Sequence, residues 1–79
     1  MEVRVKMPRV GENVSEILIV ELVAERDQMI NVGDVLAKVE TDKAAVDVVA
    51  PIAGRFVEYL VVVDQELVPG DEYAVIEVP

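Results

Sequence analysis

Shifted by 37 residues, the sequence lies over itself without a gap, Ser15–Asp42 on Ile52–Pro79, and this internal repeat restricts the fold more than any other feature. Val20 falls on Val57, Glu21 on Glu58, Asp27-Gln28 on Asp64-Gln65, Gly33-Asp34 on Gly70-Asp71, Ala37 on Ala74 and Glu40 on Glu77. Eight identities in 28 positions exceed the roughly two that random pairing would give. The segments ahead of each copy also run parallel, Val3-Arg4-Val5-Lys6-Met7-Pro8 with Val46-Asp47-Val48-Val49-Ala50-Pro51. The chain is two copies of one unit, and neither copy is long enough to bury an apolar face alone.

The period within each copy is that of strands. Val3 and Val5 alternate with Arg4 and Lys6, Ile17 and Ile19 with Leu18 and Val20, and Val46 and Val48 with Asp47. The apolar residues are mostly Val and Ile, which suit a pleated surface, and no long helical pattern interrupts them. Turn residues recur at Pro8, Gly11, Gly33-Asp34, Pro51–Gly54 and Pro69-Gly70-Asp71. The expected strands are 2–7, 16–24, 35–41, 44–50, 54–62 and 72–78, with brief extended pieces at 29–31 and 66–68. The fold class is all-β: two four-strand units related by a pseudo-twofold and packed face to face as a flattened barrel or sandwich. The apolar run Leu60-Val61-Val62-Val63 reads as core.

Composition narrows the chemistry. The chain has no cysteine and no histidine, which rules out disulfide staples, the common zinc spacings and nucleophile–histidine pairs, so no catalytic or metal site is expected. A formal charge of −9 with only seven Lys and Arg disfavours nucleic acid and favours basic partner surfaces. No apolar stretch approaches the roughly 18 residues of a membrane span, and no leader-like segment opens the chain. A single soluble domain over residues 1–79 is expected, cut from a longer chain just before a linker at Pro79, and monomeric in isolation.

Two features depart from the repeat. The first copy carries an insertion, Arg9–Val14, where the second passes quickly from Pro51 to Gly54. The other is the junction Thr41-Asp42-Lys43, where one strand must reverse into the next through a tight polar turn. Of the three lysines, Lys6 and Lys38 lie within expected strands and only Lys43 falls on a tip, where its amine can meet another protein. With the junction at one end, both termini should emerge at the other. A lysine in a polar turn is also an ordinary hairpin cap.

Around that lysine, Glu40-Thr41-Asp42-Lys43-Ala44 followed by Ala50-Pro51-Ile52-Ala53-Gly54 resembles the lipoyl domains of 2-oxo acid dehydrogenase complexes. Met7-Pro8-Arg9-Val10-Gly11-Glu12 is similar to that family's opening segment, and the likeness covers nearly the whole chain. The resemblance implies a flattened eight-stranded barrel, a barrel-sandwich hybrid, with lipoate joined to Lys43 as an amide. It implies a carrier without catalysis of its own, in a dihydrolipoamide acyltransferase of the bacterial cytoplasm or mitochondrial matrix. A thiamine-diphosphate 2-oxo acid decarboxylase would acylate the arm, an acyltransferase core would pass the acyl group to coenzyme A, and dihydrolipoyl dehydrogenase would reoxidise the dithiol. Roughly eleven bonds would put the dithiolane about 14 Å from the Lys43 Cα.

Asp42 and Ala44 flank the lysine and are the candidates for reading by a lipoate protein ligase or lipoyl transferase. For the decarboxylase, the resemblance implies that the loop Arg9, Val10, Gly11, Glu12, Asn13 and Val14 lies near the lysine turn, with Glu40 and Asp47 adding acidic charge. Biotin is the alternative cofactor, although biotin carriers usually place methionines beside the lysine where this chain has Asp42 and Ala44. The longer glycine-cleavage carrier is a more distant relative, and an unmodified interaction domain of the same fold is the remaining alternative. The family often places glycine before the acidic residue of the first long turn. Here Arg26-Asp27 and Val63-Asp64 stand instead, and a positive φ at Val63 would be costly.

Overall fold

The computed structural model describes residues 1–79 and contains eight strands and no helix. They are β1 (Glu2–Lys6), β2 (Ile17–Leu22), β3 (Met29–Ile30), β4 (Val35–Glu40), β5 (Ala45–Val49), β6 (Gly54–Tyr59), β7 (Glu66–Leu67) and β8 (Glu72–Glu77). The 37-residue shift carries β2 onto β6, β3 onto β7 and β4 onto β8 with identical bounds. It also governs the turns. Asp27 and Asp64 both have positive φ (69° and 75°), as do Gly33 and Gly70 (92° and 97°).

These turns explain the repeated dipeptides. In residues 31–34 the Asp34 amide donates to the Asn31 carbonyl while the Asp34 carboxylate accepts from the Asn31 amide. Asp71 and Val68 repeat both bonds. A four-residue turn with positive φ at its third position suits glycine there, hence Gly33 and Gly70. In 25–28 and 62–65 the same third position falls on aspartate, and the Gln28 and Gln65 side chains accept from the amides of Glu25 and Val62. Aspartate tolerates the left-handed region. Val63 therefore stands one residue before the positive φ, and the strain anticipated for it does not arise.

The strands form two antiparallel sheets, ordered β1-β8-β6-β3 and β5-β4-β2-β7. Each sheet takes two strands from each copy, so the halves are interleaved, whereas the repeat alone suggested one copy per layer. The pseudo-twofold exchanges the sheets. The β4–β5 register from Val35↔Val49 to Glu40↔Ala45 recurs in β8–β1 from Glu72↔Lys6 to Glu77↔Glu2. Interleaving lets each copy's apolar face close on the other's within one core.

That core pairs by the repeat as well. Ile19 and Phe56, Ile30 and Leu67, Leu36 and Tyr73, Val39 and Ile76, and Val5 and Val48 are all buried in one cluster. Each such side chain contributes about 1.5–3 kcal/mol on burial. Volumes trade across the pseudo-axis. Phe56 and Tyr73 are larger than Ile19 and Leu36, while buried Gly54 stands where the first copy has Ile17. A Cβ at Gly54 would lie 2.3 Å from the Glu77 carbonyl oxygen, so β8 crosses there only because position 54 has no side chain. Phe56 and Tyr59 pack at 4.6 Å between centroids, and the Tyr59 hydroxyl donates to the Leu36 carbonyl and accepts from the Ala24 amide. Tyr73 is fully buried and its hydroxyl has no partner. Burial, and then the nearby Tyr59, push its pKa up to about 12.

All eight expected segments are strands, with two overrun in the same place. The segment expected over 54–62 ends at Tyr59, and the one expected over 16–24 ends at Leu22. Beyond those points the chain turns toward Asp64 and Asp27. In consequence the run Leu60–Val63 is not core: Val61 is buried, but Leu60, Val62 and Val63 are exposed.

Candidate functional site

Strands β4 and β5 deliver the junction turn. Their last ladder pair is Glu40↔Ala45, and the Thr41 amide donates to the Ala44 carbonyl over 2.9 Å, leaving Asp42 and Lys43 as the two reversing residues. Two-residue hairpins usually adopt mirror-image turns with positive φ at the first or both reversing positions. Neither Asp42 nor Lys43 has positive φ. The Thr41 hydroxyl does the bonding instead, accepting from the Lys43 and Ala44 amides and donating to the Ala44 carbonyl, each over 3.2 Å.

Lys43 is exposed, and so are its neighbours Asp42 and Ala44. Lys6 and Lys38 are exposed too, but they lie on β1 and β4. The three ion pairs of the protein, Arg4–Glu72, Arg55–Asp27 and Arg55–Glu77, leave every lysine free. Lys43 is thus the one amine presented on a turn with nothing holding it down.

Beside the turn lies a cleft of about 470 Å³ with Leu18 as its sole apolar wall. Glu16, Glu40, Asp42 and Glu66 line it with Asn13, Ser15 and Thr41. Asn13, with φ of 61°, is the residue of the loop 9–14 that lines this cleft together with Thr41 and Asp42 of the lysine turn. Arg9, Gly11 and Glu12 are exposed on that loop. Val14 is buried in the core and Val10 packs half-buried against it, so these two anchor the loop and their side chains are not on its outer surface. Asp47 is exposed on β5 opposite Lys38, outside the residues that line the cleft.

Sequence reasoning puts Thr41 in the junction turn without giving it a role, and does not place Ser15, Glu16 or Glu66 at the site. Glu66 arrives from the second copy, because β7 pairs with β2 through Glu66↔Leu18. No local pattern announces that pairing. The Thr41 role was closer to hand, since a Ser or Thr beside a tight turn commonly bonds its own backbone.

The termini occupy the equivalent place in the other sheet. The Met1 ammonium donates to the Val78 carbonyl over 3.0 Å and the Val78 amide to the Met1 carbonyl over 2.8 Å. Strand β5 runs away from the lysine turn, and residues 50–53 then cross to the start of β6, where Arg55 pairs with Glu77. The termini therefore meet at the end opposite Lys43, as expected. A second cleft there, of about 570 Å³, is lined by Met1, Met29, Arg55, Glu77 and Val78 among others and shares no residue with the first. Hydrogen bonds to Glu77 and then Asp27 raise the pKa of Arg55 above its ordinary value.

Comparison with known proteins agrees with this geometry. The biotin/lipoyl family model, described as "Biotin-requiring enzyme", matches residues 3–76. The lipoamide acyltransferase component of the branched-chain alpha-keto acid dehydrogenase complex of Pseudomonas aeruginosa is 43% identical over 51 residues, 65% of this chain and 12% of that protein. The dihydrolipoyllysine-residue acetyltransferase components of the pyruvate dehydrogenase complexes of Staphylococcus aureus and Staphylococcus epidermidis are 32% and 34% identical over 74 residues, 94% of this chain and 17% of each. The chain thus spans less than a fifth of the length of these relatives. Because the family match runs through both copies of the repeat and the turn between them, the chain belongs to the biotin/lipoyl family of carrier domains.

Proposed function

We propose that Lys43 carries lipoate in amide linkage and that the chain is the lipoyl domain of a dihydrolipoamide acyltransferase in a 2-oxo acid dehydrogenase complex. The observation that carries this reading is the display of Lys43: exposed, outside any ion pair, and at the seam of the repeat between Asp42 and Ala44. Those two neighbours favour lipoate over biotin, as do the names of the relatives.

Lys43 Nζ would hold lipoate by displacing AMP from its ATP-activated carboxyl. One C–N bond forms, one C–O bond breaks and a proton passes to water. The amide abolishes the positive charge, so the side chain no longer resists entry into a partner's buried site. When bound, lipoate supplies a redox-active disulfide and a thiol that can hold an acyl group, chemistry for which the chain itself has no cysteine. The chain's own residues present and steer. The strands hold the turn at a fixed height, and Glu16, Glu40, Asp42 and Glu66 give the surrounding surface a negative field that favours approach by basic partner surfaces. The partners are the thiamine-diphosphate decarboxylase, the acyltransferase core, dihydrolipoyl dehydrogenase and the lipoylating enzyme, with the loop 9–14 and Glu40 read by the decarboxylase.

Intact mass tests the reading. With lipoate, ATP and a lipoate ligase the protein gains about 188 Da, whereas transfer of biotin by a biotin ligase would add about 226 Da. The first gain is expected, and it is lost in Lys43→Ala. A protein unmodified by the lipoate ligase would sink the proposal. Reductive acylation with decarboxylases of different 2-oxo acid preference then identifies the parent complex.

A further inference from the structure

We infer that Thr41 is a positioning residue for the modification of Lys43: its hydroxyl sets the backbone of the turn in the conformation that an attaching enzyme receives. The inference rests on the proposal that Lys43 is the attachment site. A hydroxyl offers one donor and two acceptor positions. The Thr41 hydroxyl uses all three within the turn, accepting from the Lys43 and Ala44 amides and donating to the Ala44 carbonyl. The ordinary turn bond, from the Ala44 amide to the Thr41 carbonyl, is absent, because that amide is directed to the hydroxyl. Nothing else fixes the residue, since the Lys43 side chain has no ion-pair partner.

The repeat supplies an internal control. Val78 stands where the first copy has Thr41, with a methyl group in place of the hydroxyl. Its amide still closes the strand pair, to Met1 over 2.8 Å, as the Thr41 amide does to Ala44 over 2.9 Å. Strand pairing at this position therefore needs no hydroxyl, and valine fits the site. The hydroxyl is required only where a covalent two-residue turn must be held. An enzyme that recognises the turn binds it with less loss of freedom if the turn is already ordered.

The test uses the 79-residue protein with Thr41→Val and Thr41→Ser, read in three ways. Urea unfolding should show that Thr41→Val still folds cooperatively, with a midpoint lowered by no more than the loss of exposed turn hydrogen bonds explains. Amide hydrogen exchange by NMR should be faster at Lys43 and Ala44 in Thr41→Val and restored in Thr41→Ser. The kcat/KM for lipoate attachment by a lipoate ligase with ATP should fall about three- to tenfold in Thr41→Val, the size of effect expected from one or two neutral hydrogen bonds, and recover in Thr41→Ser. Wild-type exchange and attachment rates in Thr41→Val would overturn the inference, as would a slow rate that Thr41→Ser does not restore. Failure of the wild-type protein to be modified would instead overturn the assignment of Lys43, a result readily told apart from the others.

Discussion

At one end of the molecule the Thr41 amide closes a strand pair on Ala44, and at the other the Val78 amide closes the matching pair on Met1. The repeat superposes these two places, and the residues around them differ in a consistent direction. Arg55, bonded to Glu77 and Asp27 at the terminal end, has Leu18 as its counterpart at the lysine end. Glu40, the counterpart of Glu77, consequently has no cation. Met29 becomes Glu66, Ala53 becomes Glu16 and Pro79 becomes Asp42. One scaffold thus has a neutralised end where the chain enters and leaves, and an uncompensated acidic end where the lysine is displayed. The strand-closing backbone bond is the same at both. The side chains at the lysine end are free to serve recognition because stability does not depend on pairing them, exposed ion pairs being worth little.

Substitutions at matched positions put this division to the test, beginning with the core that both ends share. Gly54→Ala is expected to cost about 2–3 kcal/mol in urea unfolding, since its Cβ would drive β6 away from the Glu77 carbonyl and Ile76. At the matched site Ile17→Ala costs a similar amount for the opposite reason, the cavity it leaves, about 2–5 kcal/mol. A Gly54→Ala protein as stable as the wild type would mean that the copies are not locked in this packing.

Tyr73 gives the next largest effect. Its counterpart Leu36 is apolar, and its own hydroxyl is buried without a partner, so Tyr73→Phe should raise stability by about 1 kcal/mol at neutral pH. The pH dependence has a definite sign. The phenol titrates near 10 when unfolded and near 12 when folded, so above pH 10 the unfolded chain releases a proton that the folded one keeps. Stability is full below about pH 10 and declines as pH rises through about 12, by on the order of 2 kcal/mol from this residue. Tyr59, also raised by burial, adds to the decline. Tyr73→Phe should remove the Tyr73 share, and parallel pH curves for the two proteins would contradict this account.

The smallest difference concerns Asp27 and Asp64. Alanine at either should cost about 1 kcal/mol through the left-handed backbone. Asp27→Ala should cost slightly more, because Asp27 also pairs with Arg55 and Asp64 pairs with nothing. That excess should disappear in about 1 M salt. An excess unaffected by salt would show that the ends differ in something besides charge.

Much of this was readable from local pattern. Apolar alternation together with the turn residues between segments locates all eight strands, and the repeated Asp-Gln and Gly-Asp pairs mark turns whose positive φ falls on Asp or Gly. Lys43 stands out because the repeat makes its turn the seam between copies. The acidic cleft was only half legible: Glu40 and Asp42 neighbour the lysine in sequence, but Glu16 and Glu66 reach it through the pairing of β2 with β4 and β7. The exposure of Val62 and Val63 was not legible, because an apolar run predicts burial only while the strand continues, and here it ends at Tyr59.

Strand content and turn positions thus follow from interactions among residues a few places apart, which any short window of the chain contains, while the lysine is singled out by the repeat. The interleaving of the copies, the bare glycine under Glu77, the orphaned Tyr73 hydroxyl and the gathering of four carboxylates beside Lys43 were decided only in the folded protein. They depend on which sheet edges meet to bury the shared core, and burial is a property of the whole chain, felt between residues far apart in sequence.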